Sequence, residues 1–259
     1  MSKDQRTADA FANSWNNLPA GSVYTQEQFE DWMAPLGKAD FQGNSVLELG
    51  CGNGSLLVHT ATWQPGKLTG VDLGSSADTA QANLRRAGFD SPKVIKADLT
   101  TFESEGYDVV YCIGVLHHLQ EPETGFRSVI NNVRPGGHFH CWVYAREGNG
   151  LVVALVDPIR RLASHLPWWF TKYVLATPLA MPFYLYAKAL RSITRRNSQA
   201  LKGAPLRDYC LWIAPREFGF FRHVAFDQLV TPQTVYLRRE QVERWLTDAA
   251  TVDPTSTYI

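Results

Sequence analysis

Val46-Leu47-Glu48-Leu49-Gly50-Cys51-Gly52-Asn53-Gly54-Ser55-Leu56-Leu57 is the stretch that decides the fold. Val46, Leu47 and Leu49 make a short apolar run, the pattern of a strand buried on both faces. Three alternate glycines follow, Gly50, Gly52 and Gly54, and then an apolar-periodic segment opens. Glycine bends at positive φ without strain and lets a ligand reach the main chain with no Cβ in the way. A strand, a glycine turn and a helix start form a cradle of backbone N–H groups at the positive end of a helix dipole. Such a cradle needs an acidic partner on the next strand to hold a ribose. Asp72, closing Lys67-Leu68-Thr69-Gly70-Val71-Asp72, stands in that place.

Outward from this stretch the chain alternates. Leu68 to Val71 reads as a second strand. Ser75 or Ser76 then caps a helix with Ala80, Leu84 and Ala87 on one face, which Gly88 stops. Val94 to Ala97, Tyr107 to Ile113 and Phe139 to Val143 supply three more strands. Phe126, Val129, Ile130 and Val133 fall at helical spacing between the last two, with Arg134-Pro135-Gly136-Gly137 as a turn. Five alternations argue for an α/β fold, a doubly wound, mainly parallel sheet with helices on both faces. Ligands of such sheets sit beyond the carboxyl ends of the strands. That rule gathers Gly50, Asp72, Asp98, Ile113 and Gly114 into one crevice. There Asp72 can accept from two ribose hydroxyls, and Asp98 from an adenine amino group with Leu99 against the ring. Helix capping is the rival use of Asp98, which precedes Leu99-Thr100-Thr101.

The glycine spacing selects among cofactors. A dinucleotide fingerprint places its third Gly three residues after the second; here it comes two after, and Glu48 precedes the first. A carboxylate there would crowd a pyrophosphate, but it suits a ligand carrying an amino group and a sulfonium. Glu48-Leu49-Gly50-Cys51-Gly52-Asn53-Gly54 resembles the first motif of the class I S-adenosylmethionine-dependent methyltransferases, small-molecule type. The resemblance extends through Gly70-Val71-Asp72-Leu73, Lys96-Ala97-Asp98, Tyr107-Asp108-Val109-Val110, Val115-Leu116-His117-His118-Leu119 and Arg134-Pro135-Gly136-Gly137. It implies a Rossmann-like fold, S-adenosylmethionine as cofactor and methyl transfer as activity. By position it implies that Glu48, Gly50, Cys51, Gly52, Asn53 and Gly54 surround the methionine end of the cofactor. It assigns Asp72 and Leu73 to the ribose, Asp98 and Leu99 to the adenine, and Ile113 to the reaction chamber. The Asn/Asp-Pro-Pro-Tyr/Phe motif of many nucleic-acid and protein-amide methyltransferases is absent, and Cys112-Ile113-Gly114-Val115 stands there instead. His117 and His118 are the candidate general bases, since imidazole titrates near neutrality; one of the pair serving only to orient a loop is the competing reading.

Composition bounds the rest. The 259 residues, 45% apolar and 19% charged, suit one domain with an elaboration, and the zero net charge gives no global field toward nucleic acid or anionic membrane. Cys51, Cys112, Cys141 and Cys210 lack metal-ligand spacing, so no metal site and a reduced, cytoplasmic location are expected; Met1 to Phe11 has no apolar stretch for a signal peptide.

Four regions are expected: a helical segment over 1–44, the cofactor-binding core over 45–147, an aromatic-rich helical insertion over 148–222, and a closing loop and helix over 223–259. In the first, Thr25 and Gln28 form a capping box, and Trp15 or Tyr24 either packs on the core or closes over the site. In the third, Lys172, Lys188 and two prolines interrupt the run from Trp168 to Leu190, which argues against a membrane span. A helical lid, a homodimer contact and weak lipid association are the uses left for it, and a small, apolar or amphipathic acceptor fits an apolar lid. In the fourth, Phe226 to Tyr236 resembles a loop that crosses the substrate pocket, which makes Asp227 and Tyr236 candidate acceptor contacts. Val242, Trp245, Leu246 and Ala249 mark a last helix, and Thr251 to Ile259 has room for one short strand, as in a shortened chain. A non-catalytic cofactor-binding scaffold and a nucleotide-dependent reductase are the alternatives to a methyltransferase.

Overall fold

In the computed structural model, residues 3–15, 24–89, 92–197, 201–231, 233–249, 251–253 and 257 are described. The chain divides into two units, residues 1–151 with 233–259, and residues 152–232.

The first unit opens with α1 (Lys3–Trp15), α2 (Gln26–Met33) and α3 (Lys38–Phe41). The expected capping box starts α2: Thr25 Oγ1 accepts from the Gln28 amide, and Gln28 Oε1 accepts from the Thr25 amide. Then come β1 (Ser45–Leu49), α4 (Ser55–Thr62), β2 (Lys67–Asp72), α5 (Ser76–Arg86), β3 (Lys93–Lys96) and β4 (Tyr107–Ile113). A 3-10 turn over Leu116–His118 leads to α6 (Pro122–Asn131) and β5 (Val133–Trp142). The five strands are all parallel in the order β3-β2-β1-β4-β5. The chain order therefore reverses between β1 and β4, and the crevice of an open parallel sheet lies at that reversal.

Side-chain alternation assigns each helix to a face. Val46 of β1 and Val109, Tyr111 and Ile113 of β4 pack with Phe29, Phe41, Leu57, Ala80 and Leu84, that is, with α2 to α5. Leu47, Leu49, Val110 and Cys112 point the other way, onto Phe126, Val129 and Ile130 of α6. The same face receives Trp245 and Leu246 of a last helix, Arg239–Asp248, in line with its i, i+3 spacing. Period-two strands buried on both sides need helices on both sides, and the doubly wound expectation holds. One boundary moves. Arg134 to Gly137, expected as a turn, lies inside β5, where the pairing jumps from Tyr107–Val133 to Val109–His138. The extra residues bulge out of the ladder, with Gly136 at φ 78°.

The second unit is helical. It contains most of α7 (Gly150–Ala163), then α8 (Trp168–Phe170), a π-helical segment Thr171–Ala176, α9 (Thr177–Arg196), α10 (Arg207–Ile213) and α11 (Phe218–Val230). Ala180, Ala187 and Leu190 of α9 bury against Cys210, Ile213 and Phe221. Arg160, 4% exposed, donates to the Gln228 carbonyl and to Asp157. The helix Arg239–Asp248 of the first unit is α12. Among the described residues no helix is long and apolar enough to cross a membrane.

Candidate functional site

The glycine turn is pinned to β2 from its first residue. The amides of Gly50 and Cys51 both donate to the Val71 carbonyl, at 2.7 and 3.0 Å. Gly50, Gly52 and Gly54 have φ of 81°, 52° and 79°, the left-handed region that other residues enter at a cost. At Gly50 the requirement is also steric, because a Cβ would stand 2.5 Å from Val115 Cγ2. Gly50→Ala is therefore expected to lower stability by about 2 kcal/mol, from backbone strain and overpacking together. Gly136→Ala is the control, since it shares a positive φ but meets nothing within 4 Å. Urea unfolding of both variants checks this, and equal losses would remove the Val115 contact from the explanation.

Asp72 ties the turn to the start of α5. Its Oδ2 accepts from the Gly52 amide at 2.9 Å, and its Oδ1 accepts from the Gly74 amide and the Ser76 hydroxyl, each at 2.8 Å. Ser76, named at the sequence level as a helix cap, serves this carboxylate instead. A carboxylate oxygen has two lone-pair sites, so Oδ2 keeps room for a second donor. Above Gly52 and Gly114 nothing lies within 4 Å of where a Cβ would be. The main chain is thus bare to a ligand at the ends of β1 and β4.

The side chains between the glycines turn inward. Cys51 is 5% exposed, and burial pushes its thiol well above the usual range. Asn53 is 1% exposed; its Oδ1 accepts from the amide and hydroxyl of Ser55, and its carbonyl accepts from Asn83 Nδ2. Both were expected near the cofactor; the Cys51 side chain packs in the core beneath the turn, and that of Asn53 holds the start of α4.

Glu48 lies beneath the turn at 2% exposure. The register sets it directly beside Tyr111, whose hydroxyl donates to Glu48 Oε2 at 3.0 Å and lies 2.7 Å from Thr60 Oγ1. Burial pushes the Glu48 carboxyl up to about 8; the Tyr111 hydrogen bond works against this and the charge of Asp72 adds to it. Tyr111 and Thr60 were not singled out from the sequence. Only the β1–β4 register, which pairs residues far apart in the chain, could have found them.

Asp98 follows β3 and does what its rival reading expected: Oδ1 accepts from the Thr100 amide and hydroxyl at 2.9 and 2.7 Å. Its Oδ2 has no protein donor among the described residues. Leu99 and Ile113 are 7% and 8% exposed, and Leu73 is half-buried.

His117 and His118 share the short turn after β4 but not an environment. His117 is fully buried, with its ring stacked 3.9 Å from that of Tyr144. His118 has Nδ1 at 3.1 Å from the Gln233 carbonyl and 3.1 Å from Thr234 Oγ1. A carbonyl only accepts, so the proton of neutral His118 is assigned to Nδ1 and Nε2 is the basic nitrogen. Residues 233–237 run alongside these rings: the Val235 amide donates to the His117 carbonyl, and Tyr236 stacks on Tyr144 at 5.7 Å.

Helix α1 crosses above the strand ends. Asp4 Oδ1 accepts from the Gln120 amide, Phe11 meets the His118 ring edge-on at 5.0 Å, and the Ala8 carbonyl overhangs Gly74. The side chain of Trp15 lies outside the described residues. Tyr24 meets Trp32 edge-on at 4.7 Å and packs against the core. Asp227 is on α11 in the second unit, not in the loop expected from 226, and it pairs with His223 at 3.1 Å. Helical hydrogen bonding through Val230 overrides the loop reading. Of Thr251 to Ile259, only 251–253 and 257 are described, so the expected strand there falls mostly outside the described residues.

A parallel sheet in the order 3-2-1-4-5 with a glycine turn at its switch point is shared with dinucleotide-binding folds, and it is the family match that places the chain in the class I S-adenosylmethionine-dependent methyltransferase superfamily. A family model for a methyltransferase domain matches residues 23–196, and the chain belongs to that family. An uncharacterised protein of Synechococcus is 24% identical over 207 residues, covering 78% of this chain and 45% of its own. The ubiquinone biosynthesis O-methyltransferase of Chromobacterium violaceum is 32% identical over 121 residues, covering 46% of this chain and 52% of that one. The chain spans about half the length of the curated relatives it matches. Among solved structures, a methyltransferase from Thiobacillus denitrificans in complex with S-adenosyl-L-homocysteine is 21% identical, with a TM-score of 0.45, over 57% of this chain and 60% of that one.

Proposed function

We propose that this protein transfers the methyl group of S-adenosylmethionine to a small, apolar or amphipathic acceptor. The observation that carries this reading is the bare backbone at Gly52, bordered by an Asp72 carboxylate with an acceptor site to spare. The residues present fit an adenosyl-sulfonium group. Asp72 accepts from the ribose hydroxyls, Asp98 Oδ2 accepts from the adenine amino group, and Leu73, Leu99 and Ile113 give apolar walls. Glu48 contributes its charge from below the turn, and α1 covers the site as a lid.

When bound, the cofactor supplies a methyl group already activated by positive sulfur. The chain has two tasks left, to align the acceptor and to take its proton. His118 Nε2 is the group for the proton, because the Gln233 carbonyl fixes the tautomer that makes it basic. His117, buried under Tyr144, orients the turn instead. Tyr144 and Tyr236, stacked beside the histidines, offer a flat wall to a planar acceptor. The similar proteins named ubiquinone biosynthesis O-methyltransferase support an oxygen as the methylated atom.

Labelled S-adenosylmethionine incubated with a catechol is expected to yield a labelled methyl ether. His118→Gln is expected to slow that turnover without changing cofactor affinity. Cofactor binding without transfer to any component of a cell extract would favour a scaffold. Tight binding of a nicotinamide nucleotide, with none of the sulfonium compound, would favour a reductase.

A further inference from the structure

We propose that the second unit docks on the surface of an anionic lipid bilayer. Its charge is the first ground. Residues 152–232 carry eleven Lys and Arg against four Asp and Glu, while the rest of the chain carries fourteen against twenty-one. The neutral total hides a strongly basic unit and an acidic remainder. From 158 to 207 there are nine cations and no carboxylate at all.

The second ground is where the apolar surface lies. Every large hydrophobic residue exposed among the described ones falls between Leu155 and Tyr209. Leu155, Ile159 and Leu162 repeat along one stripe of α7, and Leu162 is 76% exposed. Helix α9 buries Ala180, Ala187 and Leu190, yet its outward face is also apolar: Met181, Leu185, Tyr186 and Ile193 are all exposed. A helix apolar on both faces has a second partner besides its own core. Lys188, Arg191 and Arg195 follow the edge of that outward face at helical spacing and, with Ser192, Arg196 and Ala214, line an open groove of about 440 Å³. Trp168 and Trp169, half-exposed, are the residue type that settles at a lipid–water boundary.

Charge complementarity names the occupant. An apolar stripe edged by cations fits acyl chains below and phosphate headgroups above, the arrangement of helices that lie in the plane of an interface. A second copy of the chain would bring the same basic surface against itself, and like charges oppose that contact. No described helix is both long and apolar enough to span, so the association proposed is with the surface.

Flotation with vesicles tests it, using the full chain. It is expected to float with vesicles of equal parts phosphatidylcholine and phosphatidylglycerol, to stay in solution with phosphatidylcholine alone, and to be released by salt. Each cation near the surface contributes about fivefold, so R195Q with R196Q is expected to weaken partitioning by about 25-fold. Leu185→Ser with Ile193→Ser is expected to weaken it at constant charge. All four positions are outside the cofactor site, and an unchanged circular dichroism melt shows that the variants fold. No flotation, equal flotation with both vesicles, or a dimer in light scattering that the apolar variants dissociate would overturn the proposal. None of these outcomes bears on methyl transfer, which is assayed with a water-soluble acceptor.

Discussion

Asp72→Ala is expected to weaken S-adenosylmethionine binding by about a hundredfold. Two losses combine. The ribose hydroxyls lose a charged acceptor, and a hydrogen bond to a charged group contributes about 1.5–3 kcal/mol. The Gly52 amide and the Ser76 hydroxyl also lose the oxygens that now hold them, so the turn must be ordered by the ligand itself. At 1.4 kcal/mol per factor of ten, even the first loss alone exceeds tenfold. Asp72→Asn separates the two, because it keeps a carbonyl oxygen for part of the tether and gives up the charge; a smaller loss is expected. Calorimetric titration of both variants is the measurement. A dissociation constant unchanged in Asp72→Ala would take this carboxylate out of the binding site.

Cofactor affinity is also expected to climb with pH, by up to tenfold per unit from about 6 to 8, and then to level. The Glu48 carboxyl is pushed up to about 8 by its burial, so before the ligand arrives it holds a proton at neutral pH. A ligand bearing an ammonium and a sulfonium favours the carboxylate, and binding expels that proton. Titrations in buffers of different ionisation enthalpy count the proton released. Glu48→Gln, close to the same shape and never charged, is expected to flatten the profile while Tyr111 keeps an acceptor. A slope that survives in Glu48→Gln would assign the titration elsewhere. The same group acts on stability. Its folded value lies above the ordinary 4.5, so its contribution is complete below 4.5 and is lost as pH rises toward 8, where the unfolded chain ionises freely and the buried carboxyl does not. Without cofactor, the melting temperature is expected to fall across that window, and added cofactor is expected to offset the fall.

These two groups differ in how legible they were. The place of Asp72 beside the glycine turn could be read from sequence because it depends on short-range order: a strand end, a fixed distance from a glycine turn on the preceding strand. The state of Glu48 could not, because it depends on Tyr111 across the β1–β4 pairing. The histidine pair shows the same division. Two adjacent imidazoles after a strand announce themselves, but only the return of residues 233–237 distinguishes them, placing a carbonyl on His118 while Tyr144 covers His117. The N-terminal segment was read as an aromatic-bearing preamble in which Trp15 or Tyr24 either packs on the core or closes over the site. Tyr24 packs on the core, and Asp4, Ala8 and Phe11 hold the first helix over the strand ends, a contact between segments with no local signature. Asp227 misled for the opposite reason. Its neighbours resemble a loop, and helical hydrogen bonding carries the chain past it to Val230.

By itself the sequence determined the sheet, the two-sided burial and the glycine turn, because strand period, helix period and positive-φ glycines are local properties written residue by residue. The tertiary structure alone decided which carboxyl is buried and protonated, which imidazole has its tautomer fixed, and which face of α9 is left outward. Those depend on desolvation and on partners brought together by pairing and packing, and neither exists until distant parts of the chain meet.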